Sequence, residues 1–237
     1  MDVAQIAALL DPFLEQPLRP SQLDQISIYI DLLLRWNARI NLTALRRPEQ
    51  IVTRHFGESF FLARHLFPAS SRPCHPGPEL VEGEGPAFCL ASPGALLDPP
   101  RVLDIGSGAG FPALPLKIWA PDIHLTLVES NHKKATFLRE VARALTLTNI
   151  NVIADRTETL ATRADSPRAE VVTLRAVERF AAILPQAVTF LAPNATLALL
   201  IGAAQIPNLA TLTTLKWRPP LLVPQSHARV LSIGVLS

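Results

Sequence analysis

The chain has 237 residues, 49% of them hydrophobic, and a formal net charge of +2. This length and hydrophobic content exclude a wholly disordered protein, and the small charge means that contact with nucleic acid would need a local basic patch. No apolar run approaches the ~20 residues of a membrane span, and the start Met1-Asp2-Val3 lacks the basic residues of a signal peptide, so we expect a cytoplasmic protein.

The first 67 residues are predicted to be helical. Three stretches, 4–14, 20–37 and 48–67, carry apolar residues at three- and four-residue spacing, which places those residues on one face of a helix. We therefore expect a small N-terminal helical unit over residues 1–67.

Residues 68–100 differ in composition from the rest of the chain. They hold eight of the 22 prolines and four of the ten glycines, a composition that resists both helix and sheet. We interpret the segment as a flexible surface insert between two units. The only two cysteines, Cys74 and Cys89, lie in it. With His75 they supply three metal ligands and no fourth, so a metal site is not predicted. A disulfide is not predicted either, because disulfides are rare in a reducing compartment such as the cytoplasm.

From Arg101 onward, short apolar runs alternate with helical patterns. The predicted strands are 101–105, 123–129, 150–154, 169–174, 195–201, 214–223 and 228–235, and the predicted helices are 112–119, 131–145, 157–163, 178–191 and 203–213. This alternation predicts an α/β domain over residues 101–237, with a mostly parallel, seven-stranded sheet covered by helices on both faces. Ligands of such sheets bind beyond the carboxyl ends of the strands, so residues that follow different strands should converge on one rim.

A glycine-rich stretch, Asp104-Ile105-Gly106-Ser107-Gly108-Ala109-Gly110, includes the end of the first strand and the turn after it. Its alternate glycines let the backbone approach a ligand and leave amide groups free to donate. Glu129 ends the next apolar run, where a carboxylate can accept hydrogen bonds from both hydroxyls of a ribose. The pair predicts a nucleoside-containing cofactor. Asp104 is interpreted either as a brace for the turn or as a group that faces the cofactor.

Two further loops follow predicted strands. Thr157 and Glu158 open a helix after the third strand, where their backbone amides could bond an adenine ring or only begin the helix. Arg175 follows the fourth strand, and its planar guanidinium can hold a phosphate or a carboxylate through two hydrogen bonds. We expect Arg175 to position the reacting groups; the alternative is a structural ion pair with Glu178.

The form D-x-G-x-G-x-G, followed by Phe111, resembles motif I of the class I S-adenosylmethionine (SAM) methyltransferases. The motif [D/N]-P-P-[Y/F], which methyltransferases of exocyclic amines share, is absent. No cysteine follows Cys89 to activate a pyrimidine C5 by covalent attack. An acceptor that is already nucleophilic remains, and guanine N7 fits because its lone pair is free and no proton has to be removed.

Basic residues in two places are candidates for contact with RNA phosphates. Arg54 and His55 lie in the third predicted helix, and Lys133 and Lys134 open the helix after Glu129. Positive charge at a helix N-terminus opposes the helix dipole, so phosphate binding would explain the two lysines. A solvated helix face is the alternative for each residue taken singly.

Several blocks in the correct order resemble the RsmG (GidB) family of bacterial 16S ribosomal RNA guanine-N7 methyltransferases. The blocks are Trp36-Asn37 with Ile40-Asn41-Leu42-Thr43, Arg54-His55 with Glu58-Ser59, the 104–112 stretch, Lys133 with Phe137-Leu138, and Arg175-Ala176. The resemblance implies a Rossmann-like class I fold and SAM binding near Gly106, Phe111, Glu129, Thr157, Glu158 and Arg175. It also implies methyl transfer to N7 of a guanine in 16S rRNA within the small ribosomal subunit. We expect a monomer.

The sequence departs from the family pattern in two places that bear on function. Glu58 stands where the family usually has aspartate, and Ile201 stands where it often has lysine. Two other functions therefore stay open: a SAM methyltransferase acting on a small molecule, and a non-catalytic SAM- or RNA-binding protein. A dehydrogenase is disfavoured because Phe111 stands near the position of the third glycine of the dinucleotide motif.

Overall fold

The structure, a computed structural model, describes residues 1–68, 98–175 and 180–236. Nearly all of the predicted 68–100 insert lies outside these residues, as do Cys74, Cys89 and Glu178. The division of the chain at residues 67 and 100 stays a prediction.

The predicted N-terminal helices are present. Helix α1 (Val3–Leu10) continues into a 3-10 turn (Asp11–Phe13), α2 spans Pro20–Asn37, and α3 (Pro48–Ile51), a π-helical turn (Val52–Gly57) and α4 (Glu58–Leu66) follow one another without a break. The α-helical part of the first helix ends earlier than predicted because Pro12 cannot donate a backbone hydrogen bond.

The sheet contains eight strands among the described residues: β1 (Arg101–Ile105), β2 (His124–Val128), β3 (Ile150–Ile153), β4 (Ala169–Arg175), β5 (Leu191–Gly202), β6 (Leu215–Trp217), β7 (Leu221–Leu222) and β8 (Arg229–Leu236). Their order is β3-β2-β1-β4-β5-β8-β6, with β7 also paired to β8. The first five strands are parallel, and β8 runs antiparallel to β5.

The prediction of seven strands was wrong by one. The stretch 214–223 forms two short strands, β6 and β7, which pair with successive parts of β8 along the same edge. Pro219 and Pro220 stand between them, and proline cannot donate to a strand ladder. Another predicted element also differs: 203–213 forms a 3-10 helix (Ala203–Thr211) that contains Pro207.

Helices cover both faces of the sheet. The remaining ones are α5 (Ala113–Trp119), α6 (His132–Ala144), α7 (Thr157–Ala161) and α8 (Phe180–Thr189). Alternate strand residues face opposite sides, so Val171 packs with α1–α6 in one apolar cluster and Val172 packs with α7 and α8 in the other. The N-terminal helices therefore share a core with one face of the sheet. None of the helices in the described ranges is long and apolar enough to cross a membrane.

The turn after β1 is packed against α2. The Tyr29 hydroxyl donates to the carbonyl of Ala109, and its ring stacks on Phe111 with centroids 5.2 Å apart. Gly110 has φ +87°, and a Cβ there would collide with Tyr29 Oη and come within 2.6 Å of Leu114 Cδ1. Gly108 has φ +55°, but a Cβ there would meet nothing closer than 3.7 Å. Gly108 is therefore required by its backbone conformation alone, whereas Gly110 is required both by its conformation and by the close approach of Tyr29 and Leu114.

We predict that Gly110→Ala destabilises the fold by about 3 kcal/mol or more, since strain from positive φ adds to overpacking. Gly108→Ala, with strain alone, should cost about 1–2 kcal/mol. Urea unfolding of both variants measures the difference. Equal losses would mean that contact with Tyr29 and Leu114 does not limit the residue at position 110.

Candidate functional site

A cleft of about 810 Å³ opens at the carboxyl ends of β1, β2 and β4. Ten of the residues singled out from the sequence line it: Gly106, Gly108, Phe111, Glu129, Thr157, Glu158, Arg175, Arg54, His55 and Lys134. Asp104, Gly110 and Lys133 are not among the lining residues. The sheet and the helical layer packed on it thus bring together residues more than 100 positions apart in the sequence.

The glycine turn forms one wall of the cleft. Gly106 and Gly108 have φ values of +68° and +55°, a region open to glycine at little cost. The amides of Gly106 and Ser107 both donate to the Val128 carbonyl, at 2.9 and 3.0 Å. These bonds tie the turn to the end of β2, so the two segments expected to hold a nucleoside lie side by side.

Glu129 is held by backbone amides. Its Oε2 accepts from the Gly108 amide and its Oε1 from the Asn131 amide, both at 2.8 Å. The Glu129 backbone amide donates to the Ile153 carbonyl of β3 at 3.0 Å. Each carboxylate oxygen keeps further acceptor capacity, so the group has one orientation and can still accept from a ligand in the cleft.

Asp104 lies inside the sheet. Its Oδ1 accepts from the Thr173 hydroxyl on β4 at 2.6 Å, and its carbonyl accepts from the Ser107 hydroxyl at 3.1 Å. Burial raises the pKa of its carboxyl group to about 7, and the nearby Glu129 charge also raises it, against the lowering effect of the Thr173 and Ser107 hydrogen bonds and of Arg175. These contacts match the brace interpretation; contact with a cofactor stays a prediction.

Helix N-termini form the opposite wall. Helix α7 begins at Thr157, and Arg156, Thr157 and Glu158 line the cleft, so free amides of its first turn are near the ligand space. At α6 the Asn131 side chain accepts from the amides of Lys133 and Lys134, at 2.9 and 3.2 Å. This cap satisfies the helix end without a phosphate, and only Lys134 of the two lysines lines the cleft.

Three arginines surround one buried carboxylate at the floor of the cleft. Glu58 Oε1 accepts from Arg54 Nε at 3.1 Å. Its Oε2 lies 2.9 Å from Arg175 Nη2 and 3.0 Å from Arg229 Nε, although the contact with Arg229 lacks the geometry of a hydrogen bond. Arg175 therefore has a structural partner, but it is Glu58 on α4; Glu178, the partner considered from the sequence, lies outside the described residues.

Glu58, Arg229 and Tyr29 were not predicted as site residues. Arg229 begins β8, opposite Gly202 of β5. Because β8 is antiparallel, its first residue lies at the rim where the parallel strands end. Arg229 could have been predicted as a site residue if the last strand had been recognised as antiparallel. For Glu58 the signal was its place in the block with Arg54 and His55, whereas the sequence carries no such signal for Tyr29.

The His55 ring is neutral. It stacks on Phe111 with centroids 4.6 Å apart, and its Nε2 lies 2.8 Å from Thr43 Oγ1. Burial, and then the charges of Arg175, Arg229 and Arg54, lower the pKa of His55 to about 2. Phe111 is thus held between His55 and Tyr29, and it fixes the turn against two helical segments.

No set of three or more metal-binding side chains comes together within residues 1–68, 98–175 and 180–236.

We predict that Asp104→Asn stabilises the protein more at pH 8.5 than at pH 5. A folded pKa of about 7 against an ordinary value of 3.8 means that the folded state binds the extra proton between these values, so stability falls as pH rises through this window. The asparagine removes this penalty, on the order of a few kcal/mol at most. Thermal melting of both proteins at the two pH values measures it.

His55, with its lowered pKa, contributes the opposite slope below pH 6.5. Both the wild type and Asp104→Asn contain His55, so its contribution cancels in the stability difference between the two proteins. A stability difference that does not change with pH would contradict the assignment of the titration to Asp104.

Comparison with known proteins identifies the family. The sequence matches the family described as GidB, rRNA small subunit methyltransferase G, over residues 22–74 and 91–216. Ribosomal RNA small subunit methyltransferase G of Chloroflexus aggregans is 38% identical over 176 residues, covering 74% of this chain and 62% of that protein. The Bacillus subtilis protein of the same name is 33% identical over 167 residues, covering 70% of this chain and 58% of that protein. The chain thus spans about three fifths of the length of these curated relatives.

Among solved structures, a SAM-dependent methyltransferase from Aquifex aeolicus aligns with a TM-score of 0.48 and 14% identity, covering 58% of this chain and 82% of that one. The predicted fold class, an α/β fold with a mostly parallel sheet covered by helices on both faces, is confirmed, with eight strands among the described residues in place of seven. On the extent of the sequence match, the chain belongs to the rRNA small subunit methyltransferase G (GidB) family.

Proposed function

We propose that the protein transfers a methyl group from SAM to N7 of a guanine in 16S rRNA of the small ribosomal subunit. The observation that carries the proposal is the Glu129 carboxylate, which is held by two backbone amides beside the glycine turn, in a cleft that four arginines also line. The family assignment supplies the substrate class. A cytoplasmic, monomeric enzyme is part of the proposal.

The residues of the cleft fit SAM. Glu129 would accept the two ribose hydroxyls, the first-turn amides of Thr157 and Glu158 would meet the adenine, and Gly106 and Gly108 leave the turn open to the methionine part. Arg175 Nη1 is buried without a partner among the described residues, so a carboxylate would satisfy it. SAM, when bound, supplies an electrophilic methyl group on a sulfonium.

The side chains around the cleft favour an acceptor with a free lone pair. Arginine stays protonated at any physiological pH, and a His55 ring with a pKa of about 2 is a poor base. Asp104 has a pKa near neutrality, but it is not among the residues that line the cleft. Guanine N7 needs no proton removed, so the task left to the protein is to place it in line with the methyl group, an effect worth up to ~7–11 kcal/mol.

The substrate side of the cleft carries positive charge on Arg54, Lys134 and Arg229. Such charge suits an RNA backbone better than a neutral small molecule. This arrangement favours the rRNA methyltransferase over the small-molecule enzyme left open by the sequence.

The direct test is methyl transfer from labelled SAM to 30S subunits that lack the modification, with the site mapped by chemical cleavage at 7-methylguanosine. Label in 16S rRNA at a guanine N7 is expected. SAM binding without label in 30S subunits or in deproteinised rRNA would favour the non-catalytic alternative.

We predict that Glu129→Ala weakens SAM binding at least tenfold, because each charged hydrogen bond to a ribose hydroxyl contributes about 1.5–3 kcal/mol. Glu158→Ala is the matched control, since we assign Glu158 a role through its backbone amide alone. Isothermal calorimetry with SAM measures both. Wild-type affinity in Glu129→Ala would refute the ribose assignment.

Arg175→Lys should lower single-turnover methyl transfer to 30S subunits at least tenfold, about 1.4 kcal/mol on the barrier. Arg175 Nη2 already contacts Glu58 and the Arg54 carbonyl, which leaves Nη1 for a ligand. The single ammonium group of a lysine cannot contact Glu58 and the ligand at the same time. The melting temperature is recorded alongside to separate folding from catalysis. Rates near wild type would remove Arg175 from the site.

A further inference from the structure

The charges at the floor of the cleft do not balance. Glu58 is the acidic partner of Arg54, Arg175 and Arg229 alike, and within the part of the chain that the structure describes these arginines have no second carboxylate. Three guanidinium groups against one carboxylate leave two positive charges. Charge that is partly buried without a partner is costly, so the site is built to receive an anion.

The three arginines are arranged in depth. The exposed fraction of the side chain is 7% for Arg175, 22% for Arg229 and 54% for Arg54, and all three line the cleft. Arg175 Nη1 is buried and has no partner among the described residues. Arg175 thus lies at the floor, Arg54 at the rim and Arg229 between them.

We propose that Arg229 and Arg54 form a subsite for a phosphate group of the RNA backbone, distinct from the place where Arg175 meets the cofactor. The inference rests on the proposed function and adds Arg229 to the residues that bind the substrate. Planar guanidinium groups match the oxygens of a phosphate. Arg54 is more than half exposed at the rim, and a long polyanion reaches the rim more readily than the carboxylate of a cofactor seated on the glycine turn.

The alternative anion is the cofactor's own carboxylate. Both anions suit a guanidinium, and they differ in which ligand loses affinity when an outer arginine is removed. A phosphate contact also carries a salt signature, because each neutralised phosphate releases a counterion.

The test compares Arg229→Gln with Arg218→Gln. Arg218 is an exposed arginine after β6 that does not line the cleft, so it serves as a matched control for the loss of one charge. Binding of 16S rRNA is measured by fluorescence anisotropy across a range of KCl concentrations, and binding of SAM is measured by calorimetry. For Arg229→Gln we expect about tenfold weaker RNA binding, a salt slope reduced by about one and SAM affinity within about twofold of wild type. Arg218→Gln should match wild type in all three.

Arg54→Gln provides a second variant if Arg229→Gln does not fold, because the exposed Arg54 side chain is not part of the core. It should show the same loss of RNA affinity and of salt slope. The proposal is overturned if Arg229→Gln loses SAM affinity while RNA binding is unchanged, or if neither ligand is affected in a folded variant. It is also overturned if Arg54→Gln binds RNA like wild type. RNA binding is read without methyl transfer, so failure of the proposed enzyme activity would be seen separately.

Discussion

The buried carboxylate of Glu58 is the interaction on which the arrangement of the site depends. It joins the π-helical turn through Arg54, the end of β4 through Arg175 and the start of β8 through Arg229. A carboxylate that is 2% exposed must be paired, so the position of α4 relative to the sheet follows from where these guanidinium groups can meet it. The helical layer, the parallel part of the sheet and its antiparallel edge therefore share one electrostatic centre, and the cleft opens directly over it.

Much of the fold, and the part of the cleft formed by the glycine turn and Glu129, could be predicted from the sequence because the signals are local. A glycine turn directly after an apolar run, and an acid at the end of the next run, identify Gly106 and Glu129 without knowledge of any distant residue. The parallel sheet then brings both to one rim. The break at Pro219 and Pro220 was also readable, since two adjacent prolines cannot continue a strand ladder. A single strand over 214–223 is not compatible with that rule.

The arginine cluster could not be predicted in the same way. In sequence, Glu58 is an acid four residues after Arg54, a spacing typical of a solvated helix face, and nothing nearby shows that it is buried. Its other partners are 117 and 171 positions away and meet it only once the strand order is known. Tyr29 likewise resembles any apolar-face residue of α2 until the fold places Ala109 against its hydroxyl. Contacts between residues that are distant in sequence depend on the strand order and the packing of the helices, and the pattern of neighbouring residues does not show these.

The stacking of Phe111 between Tyr29 and His55 has a thermodynamic consequence. The glycine turn and the helical layer are in contact through one aromatic ring, so the ring fixes where the turn lies relative to the helices. A substitution that removes the ring would remove packing from both layers at once and leave a cavity between them.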